Sequence, residues 1–429
     1  MSDLDLGSRV EVEVGEVAHG GHCVARHEGR VLFVRHALPG ELVIAEVTEG
    51  GEGSRFLRAD AVDIVRPSPD RVAPRCPVAR PGGCGGCDLQ HVTLAAQRRW
   101  KGVVVSEQLR RLAGIEREVV VEALDDDEGF GYRTRVDLAL GEDGTTGFLR
   151  HRSHEVVRVD GCPIAVPALS AEVARLSARS HPGTARVHLA CSSTGELSVI
   201  EVPIGGWTRF EEDLTERIDT PFGEVVLSVE GDGFFQVHRD APRAFTSAVI
   251  EAAQVTPGER VLDLYAGVGL FSVPLALATG VDGQLVAVES DHGATGRLAD
   301  NLQECPQAVA LAGRVDDLLG VARPKPKGRR RGGSRGRTRV PARSPLMPPS
   351  ADVVVLDPPR SGADRHVIGA ISALRPRRIV YVACDPAALA RDTGYLRDGG
   401  YTMGALRAFD AFPQTHHVEC IATFERRDD

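Results

Sequence analysis

The chain has 429 residues, 42% of them hydrophobic, and a formal net charge of −9, so it is long enough for two to three domains with real cores and carries no general attraction to nucleic acid. No run of about 18 apolar residues occurs, which excludes a membrane-spanning helix. The acidic start, Met1-Ser-Asp-Leu-Asp-Leu, lacks the apolar core of a signal peptide, so a cytoplasmic protein is expected.

Residues 1–67 read as short strands and turns. Val10-Glu-Val-Glu-Val and Glu41-Leu-Val-Ile-Ala-Glu-Val alternate with period two, and glycines and a proline punctuate the stretch between them. A small β-barrel fits, as does any other five-stranded module. A cysteine-rich loop follows at 76–87, then a helix from Leu94 to Leu112. From about 132 to 235 strands and turns return, with one helix near 167–179. The segment 68–240 is therefore read as a central β-rich domain.

From 241 to 429 strands alternate with helices. Val261-Leu-Asp-Leu-Tyr, Leu285-Val-Ala-Val-Glu, Val353-Val-Val-Leu-Asp and Ile379-Val-Tyr-Val-Ala are near-continuous apolar runs, as parallel strands buried on both faces require. The pattern predicts an α/β fold with a doubly wound, Rossmann-like sheet. Residues 323–350 interrupt it. They begin with a strongly basic run, Arg323 to Arg339, are rich in Pro, Gly and Ser, and are expected to form a disordered surface loop.

The first of these strands opens a cofactor loop, Val261-Leu-Asp-Leu-Tyr-Ala-Gly-Val-Gly-Leu-Phe-Ser. Gly267 and Gly269 let the backbone approach a ligand, and Glu289, at the end of the next strand, is set to accept from a ribose hydroxyl pair. A dinucleotide site wants a third glycine where Ser272 stands and a helix N-terminus for pyrophosphate. S-adenosylmethionine has no phosphates and fits better. Asp357, followed by two prolines that stiffen the exit, ends a later strand. Val380-Tyr-Val-Ala-Cys-Asp-Pro then delivers one thiol, Cys384, to the C-terminal end of a buried strand, where open α/β sheets build their sites. Downstream stands Glu419, a carboxylate.

Nine cysteines, an odd number unevenly spaced, argue against a disulfide framework and, in a reducing compartment, for metal binding or chemistry. Cys84-Gly-Gly-Cys87 is spaced so that two thiolates reach one metal centre.

These pieces together resemble the RNA 5-methyluridine methyltransferases, particularly the ribosomal-RNA members with an N-terminal TRAM domain and an iron–sulfur cluster. The matching segments begin at Gly20 (Gly-Gly-His-Cys-Val-Ala), Ala37 (Ala-Leu-Pro-Gly-Glu), Cys84 (Cys-Gly-Gly-Cys-Asp-Leu-Gln-His), Gly131 (Gly-Tyr-Arg-Thr-Arg-Val), Phe234 (Phe-Phe-Gln-Val-His), Leu262, Asp357 (Asp-Pro-Pro-Arg), Cys384 (Cys-Asp-Pro) and His417 (His-Val-Glu). The resemblance spans the chain outside 323–350.

It implies an OB-like TRAM barrel, a class I methyltransferase domain and methylation of uridine C5 in RNA. Cys384 would add to uracil C6 and Glu419 would remove the C5 proton. Gln236, Tyr265, Gly267, Glu289 and Asp357 would hold S-adenosylmethionine. Cys76, Cys84, Cys87 and Cys162 would ligate a [4Fe–4S] cluster, with zinc as the alternative, although a short insertion near Ala79–Gly83 departs from the family's spacing after Cys76. The expected partner is RNA, ribosomal rather than transfer RNA, bound by a monomer. Transfer-RNA methylation and a non-catalytic, cluster-bearing RNA-binding protein are the competing readings. Phe234, Phe235 and Tyr265 are candidates for stacking on a base taken out of its stack.

Overall fold

The structure, a computed structural model, describes residues 4–51, 53–124, 128–206, 213–321 and 342–427. The alternating segments at the start form β1 (Arg9–Ala18), β2 (His22–His27), β3 (Arg30–Arg35), β4 (Leu42–Glu49) and β5 (Phe56–Arg66), closed into a barrel in the order β1-β2-β3-β5-β4. Inward side chains at period two fill it: Val12 and Val14, Leu32 and Val34, Val43 and Val47, Leu57 and Ala59 are all buried. Each of the larger ones stabilises by roughly 1.5–3 kcal/mol. Glu41 ties the β3–β4 turn to the segment after β5. Its carboxylate accepts from Leu38 N at 2.8 Å, Ser68 N at 3.0 Å, and Arg71 Nε and Nη2 at 2.6 Å each.

The cysteine-rich loop leads into α1 (Leu94–Gln108), which widens into a π-turn over Leu109–Ala113 and stops at Gly114, in the left-handed region. A short β6 (Val121–Ala123) follows. Both lie on the C-terminal sheet rather than within a self-contained 68–240 unit. β6 pairs in parallel with residues 408–410, and Val105, Leu109 and Val121 join that sheet's core. The buried Lys101 Nζ donates to Asp410 Oδ1 at 2.5 Å. Position in sequence suggests the central domain for these elements; packing puts them elsewhere.

The strands β7 (Arg135–Leu140), β8 (Thr146–Leu149), β9 (Val156–Arg158), β10 (Thr184–Cys191) and β11 (Leu197–Pro203) form an antiparallel sheet in the order β11-β10-β7-β8-β9. It is covered by α2 (Pro167–Ser177), whose Leu169, Val173 and Leu176 pack on Leu138, Val187 and Leu189. A hairpin, β12 (Asp213–Thr220) and β13 (Gly223–Glu230), then packs with α3 (Ala241–Ala253) against the last domain.

That domain runs β14 (Arg260–Leu264), α4 (Ser272–Thr279), β15 (Gln284–Glu289), α5 (His292–Asn301), β16 (Ala308–Ala312), α6 (Val315–Leu318), β17 (Val353–Leu356), α7 (Asp364–Ala373), β18 (Arg378–Ala383), α8 (Pro386–Asp398), β19 (Tyr401–Asp410) and β20 (Glu419–Arg426). The sheet order is β16-β15-β14-β17-β18-β20-β19-β6. β14 to β18 are parallel, and β20 is antiparallel to both its neighbours. Strand order reverses between β14 and β17, and a ligand crevice opens beyond the C-terminal strand ends at such a point. Of the basic interruption, residues 323–341 lie outside the described residues. Residues 342–350 do not match a fully disordered loop, because Met347 is 4% exposed and packs into the sheet's core.

Candidate active site

One cleft of about 1560 Å³ runs over the C-terminal ends of β14, β15, β17 and β18, and all eleven sequence-predicted site residues line it. They come from three parts of the chain: the cysteine loop with Cys162, the 234–237 segment, and the strand ends.

The cofactor loop is held by its own backbone. Tyr265, directly after β14, has φ +65°, a conformation unusual for a side-chain-bearing residue and typical of strained functional sites. Gly269 has φ +100°, and a Cβ there would meet Leu298 of α5 at 2.9 Å. Gly267 has open space around its missing Cβ. Its N–H donates to Glu289 Oε2 at 2.9 Å, while Glu289 Oε1 accepts from Ser290 N at 2.5 Å and Asp291 N at 2.7 Å. Two successive strand ends are thus joined through one carboxylate. Asn301 Nδ2 donates to Val268 O at 2.8 Å and fixes the loop from behind. Under it, Asp263 accepts from Ser272 Oγ at 2.5 Å through one oxygen, and its other oxygen has no partner. Burial pushes Asp263 up to about 7, opposed by Ser272 and helped by Glu289. Gln236 is delivered by a segment held on Arg135, whose Nη1 donates to Gly233 O at 2.8 Å.

Cys384 and Glu419 meet across the sheet. The antiparallel register of β18 and β20 pairs Ala383 with Cys420, so one further step faces Cys384 with Glu419. Side chains directly opposite stand about 5 Å apart at Cβ. Cys420 itself is fully buried, a core residue as expected. Burial pushes the Cys384 thiol up to about 12, with Glu419 and Asp357 adding to the shift and Arg360 opposing it. Glu419, 4% exposed, is held well above the usual carboxylate range by burial and by Asp357. Burial and Asp263 raise Asp357 to about 7. The cleft therefore concentrates carboxyl groups that lack enough cationic partners, the environment a cationic ligand relieves.

Two residues within the quoted motifs had no assigned role. Arg360, in the Asp-Pro-Pro-Arg turn, is the cation facing Cys384 and Glu419, and its Nη2 lies 3.3 Å from His417 Nε2. His417 is pushed down to about 3 by burial, His416 and Arg360, which leaves it neutral and able to accept from Arg360. The motif spacing was the available signal for both.

The four cysteines of the loop end of the cleft are unpaired thiols. Burial raises Cys84 to about 11, and burial also raises Cys87 and Cys162, with the neighbouring thiols adding to each. Among the described residues, no three His, Cys, Asp or Glu side chains form a group placed to hold a metal ion. No helix among them is long and apolar enough to cross a membrane.

The model of the TRAM domain matches residues 4–62, and that of the tRNA (uracil-5-)-methyltransferases matches residues 346–427. An RNA methyltransferase of Streptomyces coelicolor is 43% identical over 98% of this chain and 93% of its own. The 23S rRNA (uracil(1939)-C(5))-methyltransferase of Alkalilimnicola ehrlichii is 31% identical over 97% of this chain and 96% of its own. Among solved structures, the tRNA (uracil-54, C5)-methyltransferase of Pyrococcus abyssi, in complex with S-adenosyl-L-homocysteine, superposes with a TM-score of 0.68. It covers 97% of this chain and 100% of its own at 22% identity, a likeness of fold.

Proposed function

This chain belongs to the RNA (uracil-C5) methyltransferase family, and we propose that it methylates C5 of a uridine in ribosomal RNA through a covalent Cys384–uracil adduct. The observation that carries the reading is the facing pair, Cys384 across from Glu419, at the mouth of the cleft that contains the glycine loop.

The chemistry follows from those groups. C5 of uracil is a poor nucleophile. The small thiolate fraction of Cys384, left after the thiol proton is lost to solvent, adds to C6, forming a C–S bond and moving the C5=C6 electron pair into an enolate that makes C5 nucleophilic. S-adenosylmethionine supplies the electrophilic methyl group when bound. Glu419 then takes the C5 proton; a carboxyl held above its usual range is a stronger base for a carbon-bound proton than an ordinary one. The C6–S bond breaks, C5=C6 reforms and the thiolate is regenerated. Glu289 and the Gly267 loop would hold the ribose of S-adenosylmethionine, Gln236 and Tyr265 would flank it, and Asp357 would serve the cofactor and the base. The crowded carboxyl groups suit a cofactor that carries a positive charge and no phosphate.

We read Cys76, Cys84, Cys87 and Cys162 as ligands of a [4Fe–4S] cluster. Four unpaired cysteines on one cleft wall, two of them in a Cys-x-x-Cys pair, are the donor set such a cluster uses. Zinc, which four cysteine thiolates also hold, is the alternative. The barrel is read as OB-like from its strand order and its parallel β3–β5 pairing, and the protein as cytoplasmic.

The test is incubation with 5-fluorouridine-containing 23S rRNA fragments and S-adenosylmethionine, followed by a denaturing gel. A fluorine at C5 cannot leave as a proton does, so the adduct persists. No adduct with any RNA would sink the reading, and an adduct with transfer RNA alone would transfer the substrate to that class. After anaerobic purification a broad visible absorption is expected; zinc without iron would overturn the cluster.

A further inference from the structure

We propose that the β1–β2 turn of the barrel is part of the active site, with His19 a positioning residue for Cys384. The inference rests on the reading of Cys384 and Glu419 given above.

The strand side of Cys384 is fixed by the sheet, through the pairing of Ala383 with Cys420. Its other side is Asp385, the N-cap of α8. Asp385 Oδ1 accepts from Ala388 N at 2.8 Å and so closes the first turn of the helix. Its second oxygen, Oδ2, lies 3.1 Å from His19 Nε2 in the barrel turn. The side-chain hydrogen bond to Asp385 holds His19 above its usual range, the sense expected of an imidazole paired with a carboxylate. One carboxylate thus orients both the helix and the nucleophile's turn, and its second anchor comes from another domain.

Two residues on, the same turn reaches the arm that carries the base. Gly21 has φ +76°, and a Cβ there would stand 2.9 Å from His416 Cβ. His416 precedes Glu419 by three positions. It is held from its other side by Asp88, with His416 Nδ1 at 2.6 Å from Asp88 Oδ2, and Asp88 Oδ1 accepts from Arg35 Nη2 at 3.4 Å. Arg35 is the last residue of β3. The barrel therefore supports both catalytic arms, at His19 for Cys384 and at Gly21 and Arg35 for Glu419. A module that only gripped RNA would have no need to approach the residue after the nucleophile.

The experiment separates positioning from RNA contact. Three quantities are measured on the full chain: the single-turnover rate of adduct formation at saturating 5-fluorouridine RNA, the RNA Kd by filter binding, and the rate of Cys384 alkylation by iodoacetamide without RNA. For His19→Ala the saturated rate is expected to fall about tenfold, a modest misplacement of a reacting group, with Kd within about twofold of the parent. His19→Gln, whose amide N–H reaches Asp385, is expected to restore most of the rate. Asp385→Asn retains a good N-cap but not the charged acceptor, and the double variant should be no slower than either single one.

A loss confined to Kd would overturn the proposal and make His19 an RNA contact. So would an unchanged rate, or additive effects in the double variant. Should His19→Ala fail to fold by thermal melt, the Asp385→Asn and His19→Gln arms decide. Failure of the parent to form any adduct would count against the activity instead, while the alkylation rate, which needs no RNA, still judges His19.

Discussion

The cofactor half of the cleft and the barrel half are assembled over opposite ranges of sequence. In the first, Gly267 bonds to Glu289 across 22 positions, and Asp263 to Ser272 across 9. In the second, His19 meets Asp385 across 366 positions, His416 meets Asp88 across 328, Gln97 meets Gln414 across 317, and Lys101 meets Asp410 across 309. The two contacts of the first lie within one βαβ unit. The second needs three segments of the chain to have docked. Chemistry that tolerates no misplacement is thus partly built from the contacts most costly in chain entropy to close.

Substitutions at the junction of the two halves give the largest effects. Cys384→Ala is expected to abolish methylation and adduct together, a loss above roughly 10⁴-fold, the scale on which removing a nucleophile acts. Glu419→Gln separates the steps: turnover falls by about 10² to 10⁴-fold, yet the adduct forms and accumulates, because the lost group acts after C–S bond formation. Quench-flow with ordinary uridine RNA checks this; equal loss of adduct and turnover would mean that Glu419 acts earlier.

The barrel half is next. Lys101 and Asp410 are both buried, and Lys101 Nζ also donates to Phe412 O at 3.0 Å, at the start of the loop that leads to Glu419. Lys101→Met leaves Asp410 short of its main cation, with only the distant Nε of Arg98 at 3.6 Å. Breaking a buried pair from one side costs about 3–5 kcal/mol, measurable by urea denaturation, with cofactor affinity unchanged in whatever fraction stays folded. In the cofactor half, Glu289→Ala should instead weaken S-adenosylmethionine by roughly tenfold, the loss of a charge-assisted bond, with RNA affinity intact by filter binding. If the Lys101 variant loosened the cofactor, or the Glu289 variant loosened RNA, the two halves would not be separable.

The same difference in range explains what the sequence discloses. Tyr265, Gly267, Glu289, Asp357 and Cys384 each sit at the end of an apolar strand, so a one-dimensional pattern identifies them, and the facing of Cys384 and Glu419 follows once β18 and β20 are known to pair. His19 carries no local signal: it is one of 14 histidines in a polar turn, and only docking reveals Asp385 beside it. α1 and β6 fall within the 68–240 span that the sequence pattern reads as the central domain. Their apolar faces say that they are buried but not against what, and β6 finds its partner in β19, some 285 positions away by the Glu122–Arg407 pair. Arg360 and His417 fall between these cases, visible as motif members yet assignable only when their 3.3 Å contact is seen.

The smallest expected effect tests the electrostatics where the halves meet. With its thiol pushed up to about 12, Cys384 is neutral near pH 7, so alkylation of the free enzyme should climb with pH without a plateau below about pH 10. Burial is the first cause, and the carboxylates of Glu419 and Asp357 add to it because a thiolate beside them is disfavoured. Asp357→Asn removes one of them and should move the profile to lower pH. Arg360→Ala removes the cation that favours the thiolate and should move it to higher pH. Each change should alter the rate at a fixed pH by less than about tenfold, the scale of one pKa unit. The opposite signs are the decisive feature. A variant that merely opened the cleft would reduce burial and shift both profiles downward, whereas charge acting on one thiol must shift them apart.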